Sequence, residues 1–228
     1  MAKKAPMMAV LVLVLGAGSL FGREDSDARL RAATAVLREI MGTPDRSIPS
    51  DLLDKSHCVA IVPGLKKGAF VFGAQYGKGY FLCRTDDAKS WSSPGTIRLE
   101  GGSFGLQIGG SETDVVLLVM NESGMNRLLS SKFTLGGGAS VAAGPVGRTA
   151  KAETDALLTA EILSWSRSRG VFAGISLDGS TLRQDLDGNR ELYGEELTNR
   201  EIIEKKVAPP GVAKDLVSLL TKYSAKKP

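Results

Sequence analysis

The sequence predicts an α+β fold: a glycine-rich, mainly antiparallel, strongly curved or barrel-like β core with helices at its N- and C-termini. Three observations predict it. Apolar residues recur at helical spacing near both ends of the chain. Between them, from His57 onward, short apolar runs alternate with glycine-containing turns. The 228 residues include 27 glycines, which weaken strand interiors and so mark bulges, sharp bends or close backbone approaches, the devices a strongly curved sheet requires.

The elements follow in order. Lys3 and Lys4, the apolar run Met7 to Leu15 and the small residues Gly16 to Ser19 have the layout of a secretory signal peptide. The run is shorter than the ~20 residues a membrane-spanning helix needs. Cleavage after Gly18 and cleavage after Gly22 both fit, and an uncleaved interfacial anchor is the alternative. With residues 1–22 as the leader, residues 23–197 form the domain, and residues 198–228 a C-terminal helical extension with a basic tail. Asp27 to Met41 reads as an amphipathic helix with Leu30, Ala33, Val36, Leu37 and Ile40 on one face, stopped by Gly42 and Pro44. Ile48 to Asp54 predicts a short helix with Pro49 near its start and Ser50 as cap.

Strand signals then take over. Cys58 to Val62 is a continuous apolar run that Pro63-Gly64 is expected to end, placing Lys66 and Lys67 in a turn. Ala69–Ala74, Tyr80–Arg84, Thr96–Leu99, Ser103–Ile108 and the fully apolar Val115–Met120 follow, with Lys78 in a Gly77–Gly79 turn. Met125, Leu128 and Leu129 predict a short helix within Ser123–Ser131. Leu158–Arg169 and Val171–Leu177 read as strands joined near Gly170. Beyond them, Thr198–Val207 reads as helical, Pro209-Pro210-Gly211 as a break, and Val212–Tyr223 as a helix with Val212, Leu216, Leu219 and Leu220 on one face. No fixed-period repeat occurs.

Charge narrows the function classes. The formal net charge is +4, and removing the leader takes away two lysines and no acid, leaving about +2. This mildly basic balance lacks the dense clustering of a nucleic-acid protein but leaves room for a local basic patch. The two cysteines, Cys58 and Cys83, lie in apolar runs. An exported protein allows a disulfide between them, and both also fit as small buried hydrophobes; their spacing does not decide.

Catalytic and metal motifs are weak. His57, the sole histidine, precedes Cys58, and neighbouring strand residues point to opposite faces, so the two cannot form a nucleophile–base pair. Asp185 to Glu196 places oxygen side chains as a calcium loop does, but Arg190 stands where the turn glycine belongs, so a structural turn is expected. Gly73 to Gly79 departs from the phosphate-loop pattern at both ends. No nucleophile elbow is present. No catalytic residue, metal site or cofactor is assigned, and the chain reads as a non-enzyme.

The stretch Ser164 to Gly179 carries the strongest signal. On a strand, Trp165, Arg167 and Arg169 share one face, and Ser164, Ser166 and Ser168 the other. An amphipathic ring beside two guanidinium groups suits phosphates at an apolar surface. Lys66, Lys67 and Arg148, with Lys78 and Lys151, are the remaining basic candidates.

Together these motifs resemble the SYLF family. The matching stretches are Val59 to Pro63, Gly64 to Gly73, Gly144-Pro-Val-Gly-Arg148, Ser164 to Gly179, and Asn189 with Tyr193-Gly194. They cover roughly Ala28 to Gly194, and Trp165 stands where many members carry Tyr. The resemblance implies a phospholipid-binding module, with phosphoinositide membranes and actin as the eukaryotic associations. With the leader it implies a bacterial member exported to the periplasm or secreted and peripherally associated with a membrane. The expected ligand is an anionic, phosphoinositide-like phospholipid, held by Lys66, Lys67, Arg148, Arg167 and Arg169 with Trp165 as the interfacial ring. The alternative is an envelope structural or protein-interaction module, an actin-binding-type scaffold by family analogy.

Overall fold

A computed structural model describes residues 8–43, 47–69, 72–87, 90–104, 109–137, 140–144, 160–168, 171–172 and 177–224, with the side chains of 8–24, 69, 72, 103–104, 109 and 171–172 left aside. The chain opens with helix α1 (Met8–Gly42) and helix α2 (Ser50–Lys55). Four long strands follow: β1 (Cys58–Ala69), β2 (Phe72–Cys83), β3 (Gly95–Phe104) and β4 (Gly109–Val119). Then come α3 (Glu122–Leu128), β5 (Lys132–Thr134), β6 (Val141–Ala143), β7 (Ile162–Ser168), β8 (Val171–Phe172) and β9 (Thr181–Gln184). Helices α4 (Leu186–Tyr193), α5 (Asn199–Glu204) and α6 (Lys214–Tyr223) complete the described chain.

The strands form one sheet in the order β5-β9-β3-β2-β1-β4-β7-β6, with β8 paired to β7. Among the described residues every pairing is antiparallel except β6 with β7. The sheet is strongly curled into a half-barrel, the α+β architecture expected.

Side-chain alternation divides the interior into two cores. On one face Val59, Ile61, Tyr80, Leu82, Val116, Leu118, Leu163 and Trp165 pack under α1, α2, α4 and α6. The expected stripe of α1, from Leu30 to Ile40, is buried there, and so are Leu216 and Leu220 of α6. The residues set apart in sequence as a C-terminal extension thus close the same core as α1. On the opposite face Ala60, Val62, Phe81, Ile97, Leu99, Val115, Leu117 and Ile162 meet Leu128 of α3, Phe133, Leu135 and Leu182, enclosed by the curl. Cys58 and Cys83 lie directly opposite each other on β1 and β2 and form a disulfide within this second core.

Several local expectations are corrected. Pro63-Gly64 does not end β1. The strand passes through them, and the register with both neighbours shifts at this point, between Ile61 and Lys66 toward β2 and between Val62 and Leu65 toward β4. A bulge is where a proline without an N–H can sit between two paired strands. Gly64 supplies the left-handed turn of the bulge, at φ 59°, and its N–H donates to Asp114 Oδ1 at 3.0 Å. Gly79 is likewise no turn residue: it lies inside β2, where a β-carbon would strike the backbone of Ile61 and Val62. Lys66, Lys67 and Lys78 are therefore strand residues. The first turn of α2 is preceded by Pro49, and Ser50 does not act as cap. Asp185 to Tyr193 forms not an irregular turn but a strand-to-helix junction into α4, which Gly194 ends in the left-handed conformation.

Candidate functional site

The face carrying Trp165 and Arg167 is turned inward. Trp165 is 2% exposed and belongs to the core beneath α1. Arg167, two residues along β7 on the same face, donates from Nη2 to Asp114 Oδ2 at 2.6 Å and from Nε to the same oxygen at 3.3 Å. Its Nη1 donates to Glu39 Oε2 of α1. The shared face expected from the alternation is present, but it binds helix to sheet. Ser166 is buried on the other face, and Ser168 meets Thr113 there at 2.5 Å. The expectation that Trp165 is an exposed interfacial ring is corrected: the α1 layer that covers it is a tertiary feature that β7 alone does not encode. Arg148 and Arg169 lie outside the described residues, as does Lys151.

Lys66 and Lys67 are separated by the strand's alternation. Lys66 is exposed on the helix-bearing face, between Tyr76 of β2 and Glu112 of β4. Lys67 points to the opposite face, opposite Gln75 and Ser111, and burial pulls its ammonium below its ordinary pKa. The two cannot grip one phosphate together.

Beyond the edge of the helical layer, the same face of the sheet carries a group of cations that the sequence reading did not assemble. Lys78 of β2 stands opposite Arg98 of β3, Arg98 opposite Arg183 of β9, and Arg183 opposite Lys132 of β5. Four cations thus lie in register across four adjacent strands, a row of about 14 Å at the ordinary strand spacing. Like charges directly opposite each other are unfavourable, and two carboxylates relieve the row. Asp185, 2% exposed, takes Lys78 at 2.9 Å and Arg98 at 3.8 Å. Glu100 takes Arg183 at 3.2 Å and Arg98 at 3.9 Å. Four cations against two carboxylates leave net positive charge, and Lys132 makes no ion pair among the described residues. No sequence motif marks this row; it exists only once the register of β2, β3, β9 and β5 is set.

Behind it lies a buried polar network. The Thr96 backbone N–H donates to Asn189 Oδ1 at 2.8 Å, and Asn189 Nδ2 donates to the Leu197 carbonyl at 2.8 Å and to Asn199 Oδ1 at 2.9 Å. Asn199 Nδ2 returns to the Thr96 carbonyl at 3.2 Å. This ties α4 and α5 to β3 and fixes Asp185 beneath the cations.

A cleft of about 620 Å³ lies on a separate part of the surface, lined by His57, Arg84, Asp86, Arg200 and Lys206 among others. Three ion pairs lie along it, Arg200 with Glu204 at 2.9 Å, Lys206 with Asp86 at 2.8 Å and Arg84 with Asp54 at 3.7 Å, and Lys55 adds a fourth cation. His57 has no thiol partner there, because the Cys58 sulfur is held by Cys83 on the far face.

The chain is a curled sheet with a basic surface row and a cleft lined by ion pairs, and it is similar to proteins of one family. Residues 100–223 match the family described as "Ysc84: Las17-binding protein actin regulator". The budding-yeast "LAS seventeen-binding protein 3" is 32% identical over 205 residues, covering 89% of this chain and 44% of the yeast protein. The mouse "SH3 domain-containing YSC84-like protein 1" is 32% identical over 202 residues, covering 86% and 59% respectively. Budding-yeast "Protein YSC84" is 34% identical over 179 residues, covering 77% and 38%. The chain belongs to the Ysc84, or SYLF, family, a family of actin regulators and binding proteins, and spans from 38% to 59% of the length of these relatives.

Proposed function

We propose that this protein is a non-enzymatic, exported module that binds anionic phospholipid at a membrane surface. The observation that supports this reading best is the row Lys78–Arg98–Arg183–Lys132, four cations in register with two carboxylates among them. Each exposed Lys or Arg near an anionic leaflet contributes on the order of 1 kcal/mol, and the row presents its cations on one side. No helix among the described residues is long and apolar enough to cross a membrane, so the attachment proposed is peripheral. Lys66 remains an exposed contact candidate, and Arg148 and Arg169 remain candidates from the sequence.

Vesicle flotation tests the reading. The protein is expected to float with vesicles containing phosphatidylglycerol, not with pure phosphatidylcholine, and to lose binding as salt rises. Equal binding to both vesicle types, or none to either, rejects it.

A second reading, a protein-interaction module, draws on the relatives' names, which describe Las17 binding and SH3-containing proteins. A stable protein partner together with negative flotation selects it.

A further inference from the structure

The lipid reading leaves open how the sheet meets the bilayer. We infer that Tyr76 is the interfacial ring of the surface, and that the chain docks with the helix-bearing face of the β1–β2 hairpin against the anionic membrane. This inference rests on the phospholipid reading above.

Tyr76 is 46% exposed, the only large apolar side chain among the described residues to stand out in this way. Its location is what gives that exposure meaning. It lies opposite Lys66 of β1 on one side and Glu100 of β3 on the other. It is two residues from Lys78 on the same strand, so both side chains leave the same face, and Lys78 opens the cation row. Tyr80, two residues further along that face, is fully buried under α1, with its hydroxyl donating to the Ser26 carbonyl at 2.6 Å. The face thus changes along one strand from sealed core at Tyr80, through a half-exposed lysine at Lys78, to an open ring at Tyr76.

The patch that results has two rows. Lys66 and Tyr76 form the first; Lys78, Arg98, Arg183 and Lys132 form the second. Five cations share this face with one aromatic ring, Lys66 and Lys78 adjoining it and Arg98, Arg183 and Lys132 extending away across β3, β9 and β5, against Glu100, Asp185 and the bordering Glu112. Tyrosine suits a membrane–water boundary because its ring is apolar and its hydroxyl stays hydrated. Lysine and arginine stems lie along apolar surface while their heads reach phosphates. None of these residues lines the cleft at His57. The patch is a sheet face, and its cations, spread over several strands, match the laterally continuous charge of a bilayer better than a single small anion.

The pairing between an amphipathic ring and cations is therefore present in this chain, on β2 instead of β7.

Tyr76→Trp supplies a direct test, because Trp91 and Trp165 are both buried and give a constant background. On adding phosphatidylglycerol vesicles, the Tyr76→Trp emission is expected to shift to the blue and to be quenched by brominated lipid, with no change on phosphatidylcholine alone. Tyr76→Ala is expected to weaken vesicle binding while Tyr76→Phe retains most of it, with melting temperatures unchanged because the side chain is exposed. Lys132→Gln with Arg183→Gln is expected to lower vesicle affinity about thirtyfold, as two cations near an anionic leaflet imply.

If the wild-type protein floats with anionic vesicles but Tyr76→Trp stays unshifted and Tyr76→Ala binds normally, this docking face is wrong and the lipid reading stands. If the wild-type protein floats with none, both fail. Binding of poly-glutamate, lost in the Lys132→Gln/Arg183→Gln variant, without vesicle binding assigns the patch to an acidic protein surface and overturns the inference.

Discussion

The indole of Trp165 packs directly on the backbone of Gly144, where a β-carbon would overlap Cζ2 and Cε2 of the ring. Gly144 continues β6, the parallel edge strand, and its N–H donates to the Ser164 carbonyl at 2.9 Å. The glycine of the Gly-Pro-Val-Gly-Arg stretch is thus the lid on the tryptophan of the Ser164–Gly179 stretch. Two motifs far apart in sequence are halves of one contact.

Gly144→Ala is expected to destabilise the fold by about 1–3 kcal/mol through overpacking, and Trp165→Ala by about 3–5 kcal/mol through loss of a large core side chain. Urea denaturation measures both. A Trp165→Ala protein as stable as wild type would mean that the ring is not core.

Arg167→Gln is expected to cost about 1–3 kcal/mol, the range for charged hydrogen bonds lost in a partly buried site. Asp114 would keep only the Gly64 N–H, and Glu39 of α1 would lose its partner. Vesicle affinity per folded molecule should stay unchanged. This separates the bracing role of Arg167 from a headgroup contact, because a headgroup contact shows the reverse pattern.

Opening the Cys58–Cys83 bridge, which closes a segment of 25 residues, is expected to lower stability by roughly 3–4 kcal/mol from loop-closure entropy. Denaturant midpoints with and without reductant, and for Cys58→Ala with Cys83→Ala, read the effect. Coincident midpoints for all of them would show that the cross-link contributes nothing.

Two groups set opposite limits on pH stability. Burial, the larger influence, pushes the Tyr80 hydroxyl up to about 12. A folded pKa raised above the unfolded value gives stability that is complete below about 10 and is lost as pH rises through 12. Tyr80→Phe should therefore show a shallower alkaline fall than wild type.

At the other end, Glu201 is held down at about 2, first by the Thr198 backbone N–H, then by Lys205 and the Thr198 hydroxyl. Its folded pKa is depressed, so its contribution is present above about 4.5 and is lost as pH falls through 2. The stability gap between wild type and Glu201→Gln should close over that range. A gap that is constant with pH would dissociate the capping box of α5 from the acid response.

Elements with a strong period were legible in the sequence. The stripe Leu30 to Ile40, the helix around Leu128 and the face holding Leu216 and Leu220 are all where helical spacing put them, because those positions repeat locally. Glycine was ambiguous. Beside Lys78 it reads as turn chemistry, yet Gly77 and Gly79 are absent of side chain so that the β1 bulge can press against β2. Pro63-Gly64 misled for the same reason, since a bulge and a turn use the same residues. The alternation Trp165-x-Arg167 gave the correct shared face but not its covering layer, which depends on where α1 lands. The cation row was least accessible of all. Its members come from residues 78, 98, 132 and 183, and only cross-strand register brings them together.

The Pro63-Gly64 bulge divides β1 into two lengths with separate obligations. Before it, Cys58 to Val62 is sealed between two cores. After it, Lys66 faces solvent beside Tyr76. A chain built this way can vary the exposed positions of its outer half, changing charge and ring content there, without disturbing Leu65 and the residues before the bulge that keep it folded. Surface character and stability are then free to drift at different rates within a single strand.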